Sequence, residues 1–170
     1  MRHLSIAVLA VAASFSLAPL LASADEIDLP ARKPGQWQLK IQPAGMPKAI
    51  VSQICLDAAT DKALMGAALS VSSCQDMKVT HDGADIVIDA TCTNRGLTSK
   101  SHSVISGDFQ SSYTITVQSD RIAGTSPMPP HSSMTQTATW MGECANGLQP
   151  GEMLMPNGMK MNLTKALGGG

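Results

Sequence analysis

Four cysteines, Cys55, Cys74, Cys92 and Cys144, follow an apolar leader that closes in Ala22-Ser23-Ala24, and this pairing of features limits what the chain can become. The small-x-small ending is the pattern an export peptidase cuts, so residues 1–24 are expected to be a signal peptide and the mature chain to begin at Asp25. Outside the cytoplasm paired thiols oxidise, and four of them read as two covalent staples before they read as chemistry. The expected address is periplasmic or secreted. The remaining chain is long enough for one continuous core and short for two.

The leader is a poor membrane span. Arg2 precedes an apolar stretch from Leu4 to Leu21 that Ser5, Ser14, Ser16 and Pro19 interrupt, whereas a spanning helix needs about 20 apolar residues. No transmembrane anchor is therefore expected, and no cysteine follows the cut to carry a lipid. Once Arg2 leaves, 11 Lys plus Arg face 13 Asp plus Glu, with the basic residues scattered singly except for Arg32-Lys33. Nucleic-acid binding wants clustered basic side chains, so no nucleic-acid partner is expected. The mature chain holds only Trp37, Trp140, Tyr113 and Phe109 as aromatics, too few faces for sugar platforms or base stacking.

The hydrophobic pattern is mainly of period two. After an extended arm over residues 25–35, broken by Pro30 and Pro34, Trp37, Leu39 and Ile41 alternate with Gln36, Gln38 and Lys40, as a strand with one wet face does. A second strand is predicted over Ala49 to Leu56. From Asp57 to Leu69 the spacing turns helical, with Asp57 or Thr60 placed to cap the start. Met77 and Val79, then Ile86, Ile88 and Ala90, flank an Asp82-Gly83 pair that predicts a hairpin. Further strands are predicted over Thr98 to Phe109, Ser112 to Ile122, and Met134 to Cys144. This order predicts a mainly all-β domain over residues 36–144, an antiparallel meander curled into a partial barrel or sandwich with one short helix. Residues 145–170, rich in Gly and Met, are expected to form a flexible, loosely held tail.

Strand direction narrows the cysteine pairing. Cys74 opens one arm of the predicted hairpin and Cys92 closes the other, while three antiparallel strands put Cys92 and Cys144 at opposite ends. Cys74 with Cys92 and Cys55 with Cys144 is the preferred pairing, and Cys55 with Cys74 stays open. A turn centred on Asp82-Gly83 sets Val79 opposite Ile86 and Cys74 opposite Thr91, one step from Cys92, so a bulge or a longer turn is needed. No Cys-x-x-Cys occurs, and the separations do not fit a zinc site.

Reactive constellations are missing as well. His81, His102 and His131 are scattered, Ser101 and His102 are neighbours that a strand points to opposite faces, and neither a G-x-S-x-G elbow nor an H-E-x-x-H helix is present. No catalytic residues and no resident cofactor are expected. Methionine stands out: of 11, Met153, Met155, Met159 and Met161 fall within nine residues as two Met-x-Met units around Pro156-Asn157-Gly158. Thioethers are soft ligands that can hold Cu(I) or Ag(I), although methionines more commonly fill gaps in a core. The same residues could serve as sacrificial oxidation sites.

Lys33-Pro34-Gly35-Gln36-Trp37, the Ile54-Cys55-Leu56 step, the Cys74 to Cys92 hairpin and Trp140-Met141-Gly142-Glu143-Cys144 together resemble an exported bacterial family known as a domain of unknown function, DUF3617. The resemblance implies an exported, disulfide-bonded, β-rich domain and brings no activity or catalytic residues with it. The functional expectation is a non-enzymatic binding or envelope-associated domain whose partner is a small apolar ligand or an envelope protein. The alternative is soft-metal binding through the four methionines of the tail.

Overall fold

The computed structural model describes residues 29–70 and 73–168 of the chain; the leader and its cleavage point lie outside them. The elements run β1 (Gly35–Pro43), β2 (Ile50–Leu56), α1 (Ala58–Ser70), β3 (Ser73–Asp82), β4 (Asp85–Asn94), β5 (Leu97–Gly107), β6 (Ser112–Ala123), β7 (His131–Gly142), β8 (Glu152–Leu154), β9 (Lys160–Asn162) and α2 (Leu163–Gly168). All nine strands join one open antiparallel sheet in the order β3-β4-β5-β6-β7-β1-β2-β8-β9. Among the described residues no helix is long and apolar enough to cross a membrane.

Alternation along each strand sorts the side chains onto two faces, and the register aligns the apolar ones. Leu39 stands opposite Ala138, Ala138 opposite Tyr113, and Ile115 opposite Ile105, which in turn faces Ile86. On the same face Trp37 pairs with Ile54. Leu64 from α1, Phe109 from the β5–β6 turn and Leu29 from the arm close over this layer. Trp37, fully buried, packs against Tyr113 at 5.5 Å, and Tyr113 stacks on Phe109 at 4.9 Å. Three rings in one cluster offset the scarcity of aromatics elsewhere, since deleting a buried ring costs about 3–5 kcal/mol.

The helix starts where its cap predicts. The Thr60 amide donates to Asp57 Oδ1 at 2.7 Å and the Asp57 amide donates to Thr60 Oγ1 at 2.9 Å, a reciprocal arrangement that satisfies two otherwise orphaned donors. The Thr60 amide and hydroxyl, both donating to Oδ1, hold the Asp57 carboxyl below the usual carboxylate range.

Three local expectations are corrected. The β3–β4 turn is Gly83-Ala84, between the facing pair Asp82 and Asp85, not Asp82-Gly83. Gly83 takes the positive φ of 62° there, consistent with a two-residue turn that places glycine first. Val79 consequently faces Ile88 rather than Ile86, a shift of two positions that keeps the residues from Lys78 to the turn on their predicted faces. Secondly, β5 stops at Gly107: the Asp108 side chain gathers the amides of Gln110, Ser111 and Ser112, so Phe109 leaves the strand at φ 56° and plugs the core instead.

Thirdly, the tail extends the sheet. β8 pairs with β2, setting Met153 opposite Ile54, and β9 pairs with β8. The Gly151 amide donates to the Cys55 carbonyl at 2.9 Å, and Leu163 packs against the core. The apolar positions of the tail reach an open edge of the sheet, which explains why this segment is ordered into strands.

Candidate functional site

The sulfur framework fixes the sheet at both ends. Cys55 and Cys144 form one disulfide, with Cα atoms 5.4 Å apart, and Cys74 and Cys92 form the other. Gln36 of β1 faces Cys55 on one side and Gly142 on the other, so the first bridge passes over β1 and ties β2 to the end of β7. The second joins directly facing residues. A bulge between Gln75 and Lys78 brings them into line, with Asp76 at φ 54°. No cysteine is free among the described residues, and two disulfides fit an oxidising, non-cytoplasmic compartment.

The arm around Lys33 to Trp37 is locked by its own motif. Trp37 Nε1 donates to the Lys33 carbonyl at 2.8 Å, Trp140 Nε1 donates to the Pro34 carbonyl at 3.0 Å, and the Lys33 ammonium lies 3.6 Å from the centre of the Trp140 ring. The buried Gln36 side chain donates to Gln53 Oε1 at 2.7 Å and accepts from the Ala145 amide at 2.7 Å. These contacts are all internal to the fold and seat the arm on the sheet.

The histidines are dispersed as well. His102 Nδ1 meets Asp89 across β4 and β5 at 2.8 Å, and His131 Nδ1 meets Asp120 across β6 and β7 at 2.5 Å. Ser101 donates to the Ala90 carbonyl on the face opposite to His102, so the two form no dyad. Among the described residues no three His, Cys, Asp or Glu side chains group in a way that could hold a metal.

The four tail methionines are brought together by pairing. Met153 faces Met161 across β8 and β9, and Met155 donates its amide to the Met159 carbonyl at 2.8 Å one step nearer the turn. Pro156-Asn157-Gly158 forms the loop, with Gly158 at φ 81°. Met153 and Met161 share a face as a cross-strand pair, with Cβ atoms of facing residues about 4.5–5.5 Å apart, and the Met155–Met159 bond continues the pairing toward the turn. Met153 is packed against the core, whereas Met159 and Met161 are exposed.

A larger feature is the uncovered part of the core-bearing face. The two helices pack on each other and on β2, β8 and β9 at one side of the sheet. Away from them, one transverse row runs Ile88, Ser103, Val117, Met134, Pro43 across five strands, every member half-buried. The next row outward is smaller and more polar: Ala90, Ser101, Ser119, Ser132. None of these positions stands out in the sequence as a site residue. The sequence signal is serine at alternate positions of β5, Ser101 and Ser103, on the face where a core strand would carry bulky apolar side chains.

An open antiparallel sheet of this kind, stapled by two disulfides, defines a β-rich, disulfide-bonded domain. The family model described as protein of unknown function, DUF3617, matches residues 32–144, and the chain belongs to that family. The matched span starts at the locked arm and ends at Cys144, so it takes in both disulfides and leaves the methionine hairpin outside. No curated protein and no solved structure matches the chain.

Proposed function

We propose that this chain is an exported, periplasmic, non-enzymatic binding domain that holds a small apolar ligand on the open row of its sheet. The observation that carries the reading is the half-buried row Ile88, Ser103, Val117, Met134 and Pro43, which neither helix of the described residues covers. Apolar lining with a few polar groups is the usual make-up of a small-molecule site. Native mass spectrometry of protein purified from its own compartment tests it. A co-purifying apolar molecule, lost in Val117→Arg while the circular dichroism spectrum is unchanged, is the expected result. Ligand-free protein that also takes up nothing from an envelope extract overturns the reading, and a co-purifying protein instead makes it an envelope-associated module.

A second reading rests on the methionine hairpin. Met153, Met155, Met159 and Met161, gathered in one hairpin, offer a soft site for Cu(I) or Ag(I), the metal reading of the tail. Titration with Ag(I) keeps the disulfides oxidised. Saturable binding that disappears when Met155 and Met159 are changed to Leu supports it; binding that survives the change ends it.

A further inference from the structure

Methionine is over-represented among the water-facing apolar side chains. Of the eight large apolar residues exposed among the described residues, five are Met46, Met128, Met141, Met159 and Met161. The last two belong to the tail hairpin. Met46 and Met128 sit elsewhere, on the β1–β2 and β6–β7 connections, and both line one groove of about 550 Å³ between these connections. His131 and Asp120 line the same groove.

Their backbones are pinned. The Met46 carbonyl accepts from Gln42 Nε2 at 2.7 Å, and its amide donates to the Pro43 carbonyl at 3.3 Å. The Met128 carbonyl accepts from Arg121 Nη1 at 3.0 Å, and its amide donates to Ser126 Oγ at 3.2 Å. Ala44 donates its amide to the Ser133 carbonyl at 2.8 Å, which ties the β1–β2 connection to the start of β7, next to His131. Only the flexible thioether arms, with three rotatable bonds each, are left to adjust.

His131 is oriented by its neighbour. With its Nδ1 bonded to the Asp120 carboxylate, the proton of the neutral ring resides on Nδ1 and the Nε2 lone pair faces away from Asp120. A carboxylate behind a ligating imidazole is the arrangement that fixes the tautomer and raises ligand basicity in metal sites. From these observations we infer that Met46, Met128 and His131 form a second soft-metal site, taking Cu(I) or Ag(I) through two thioether sulfurs and His131 Nε2, with Asp120 as positioning residue. The donor set is soft and neutral, which disfavours Zn(II), Mg(II) and Ca(II). It is separate from the tail hairpin and shares no residue with it.

The test is Ag(I) titration of the oxidised mature chain carrying ¹³C-labelled methionine methyls and ¹⁵N-labelled histidine. The expected result is movement of the Met46 and Met128 methyl signals together with the His131 Nε2 signal, in a saturable step. That step persists when Met155 and Met159 are changed to Leu, so the two sites stand or fall independently. His131→Asn and the double change Met46→Leu with Met128→Leu remove it. Asp120→Asn weakens it by about 10- to 100-fold and alters the ¹⁵N pattern that reports the tautomer. Unmoved Met46 and Met128 methyls at saturating Ag(I), or wild-type affinity in His131→Asn, overturn the site. All four positions are surface residues, and an unchanged circular dichroism spectrum establishes that each variant is folded.

Discussion

Arg32 grips Asp61 twice, through its guanidinium Nε at 2.6 Å from Oδ1 and through its backbone amide at 3.0 Å from Oδ2. The pair joins the arm to α1, with side chains only 11% and 5% exposed, and Arg32 Nη1 also donates to the Tyr113 hydroxyl at 3.3 Å. Burial opposes the charge on Arg32, but Tyr113 and Asp61 outweigh it and raise its affinity for the proton. Removing one partner leaves the other charge buried. Asp61→Ala is expected to lower unfolding free energy by about 3–5 kcal/mol, whereas Arg32→Met with Asp61→Leu recovers most of the loss. Urea denaturation of the three proteins checks this, and a double variant no more stable than Asp61→Ala would refute it.

The two disulfides close loops of very different length, with sequence separations of 89 for Cys55–Cys144 and 18 for Cys74–Cys92. In the chain-entropy account, loops of these sizes restrict the unfolded chain by about 4.6 and about 3 kcal/mol respectively. Replacing Cys55 and Cys144 by Ala is therefore expected to cost more than replacing Cys74 and Cys92. Midpoints of chemical denaturation for the two double variants give the order directly. The reverse order would show that native contacts around Gln36 and Ala145 survive without the longer bridge.

Gly35 occupies a place that no other residue fits. Its φ is 130°, and a Cβ there would stand 2.3 Å from the Gly142 carbonyl oxygen and 2.6 Å from Trp140 Nε1. Gly45 also has a positive φ, 79°, but faces open space. Gly35→Ala is expected to destabilise by about 2–4 kcal/mol and Gly45→Ala by about 1–2 kcal/mol, since only the first adds a backbone collision to conformational strain. The comparison of thermal midpoints decides it, and equal losses would count against the close approach of β1 and β7.

The strand content was legible because alternation survives any tertiary context that buries one face. That is why the Val79 register could shift by two positions and keep Val79 on its predicted face. Turn chemistry was harder to read. Phe109 looks like the end of a strand until the Asp108 carboxylate is seen to collect three following amides, and Met153 to Met161 looks like a tail although two Met-x-Met runs around Pro156-Asn157-Gly158 form a hairpin pattern. Long-range polar pairs were not legible at all. Nothing local in Arg32 points to Asp61, and Met46 and Met128 come to line one groove only because β1 and β6 both flank β7.

Asp108 gives the domain an acid-sensitive joint. Ser111 contributes most, through its hydroxyl at 2.6 Å from Oδ2 and its amide at 2.7 Å from Oδ1, and the amides of Gln110 and Ser112 add to it. Together they hold the carboxyl far below the ordinary carboxylate range. A group whose pKa is depressed by folding adds stability above its unfolded pKa, about 4, and that stability fades as pH falls toward the folded value. The turn that seats Phe109 on Tyr113 is built on these bonds, which the charged carboxylate accepts more strongly than the neutral acid. Thermal midpoints of the wild type and Asp108→Ala are therefore expected to differ most near pH 7 and to converge below about pH 4. A gap that stayed constant from neutral pH into the acid range would mean that the charge on Asp108 does not stabilise the turn.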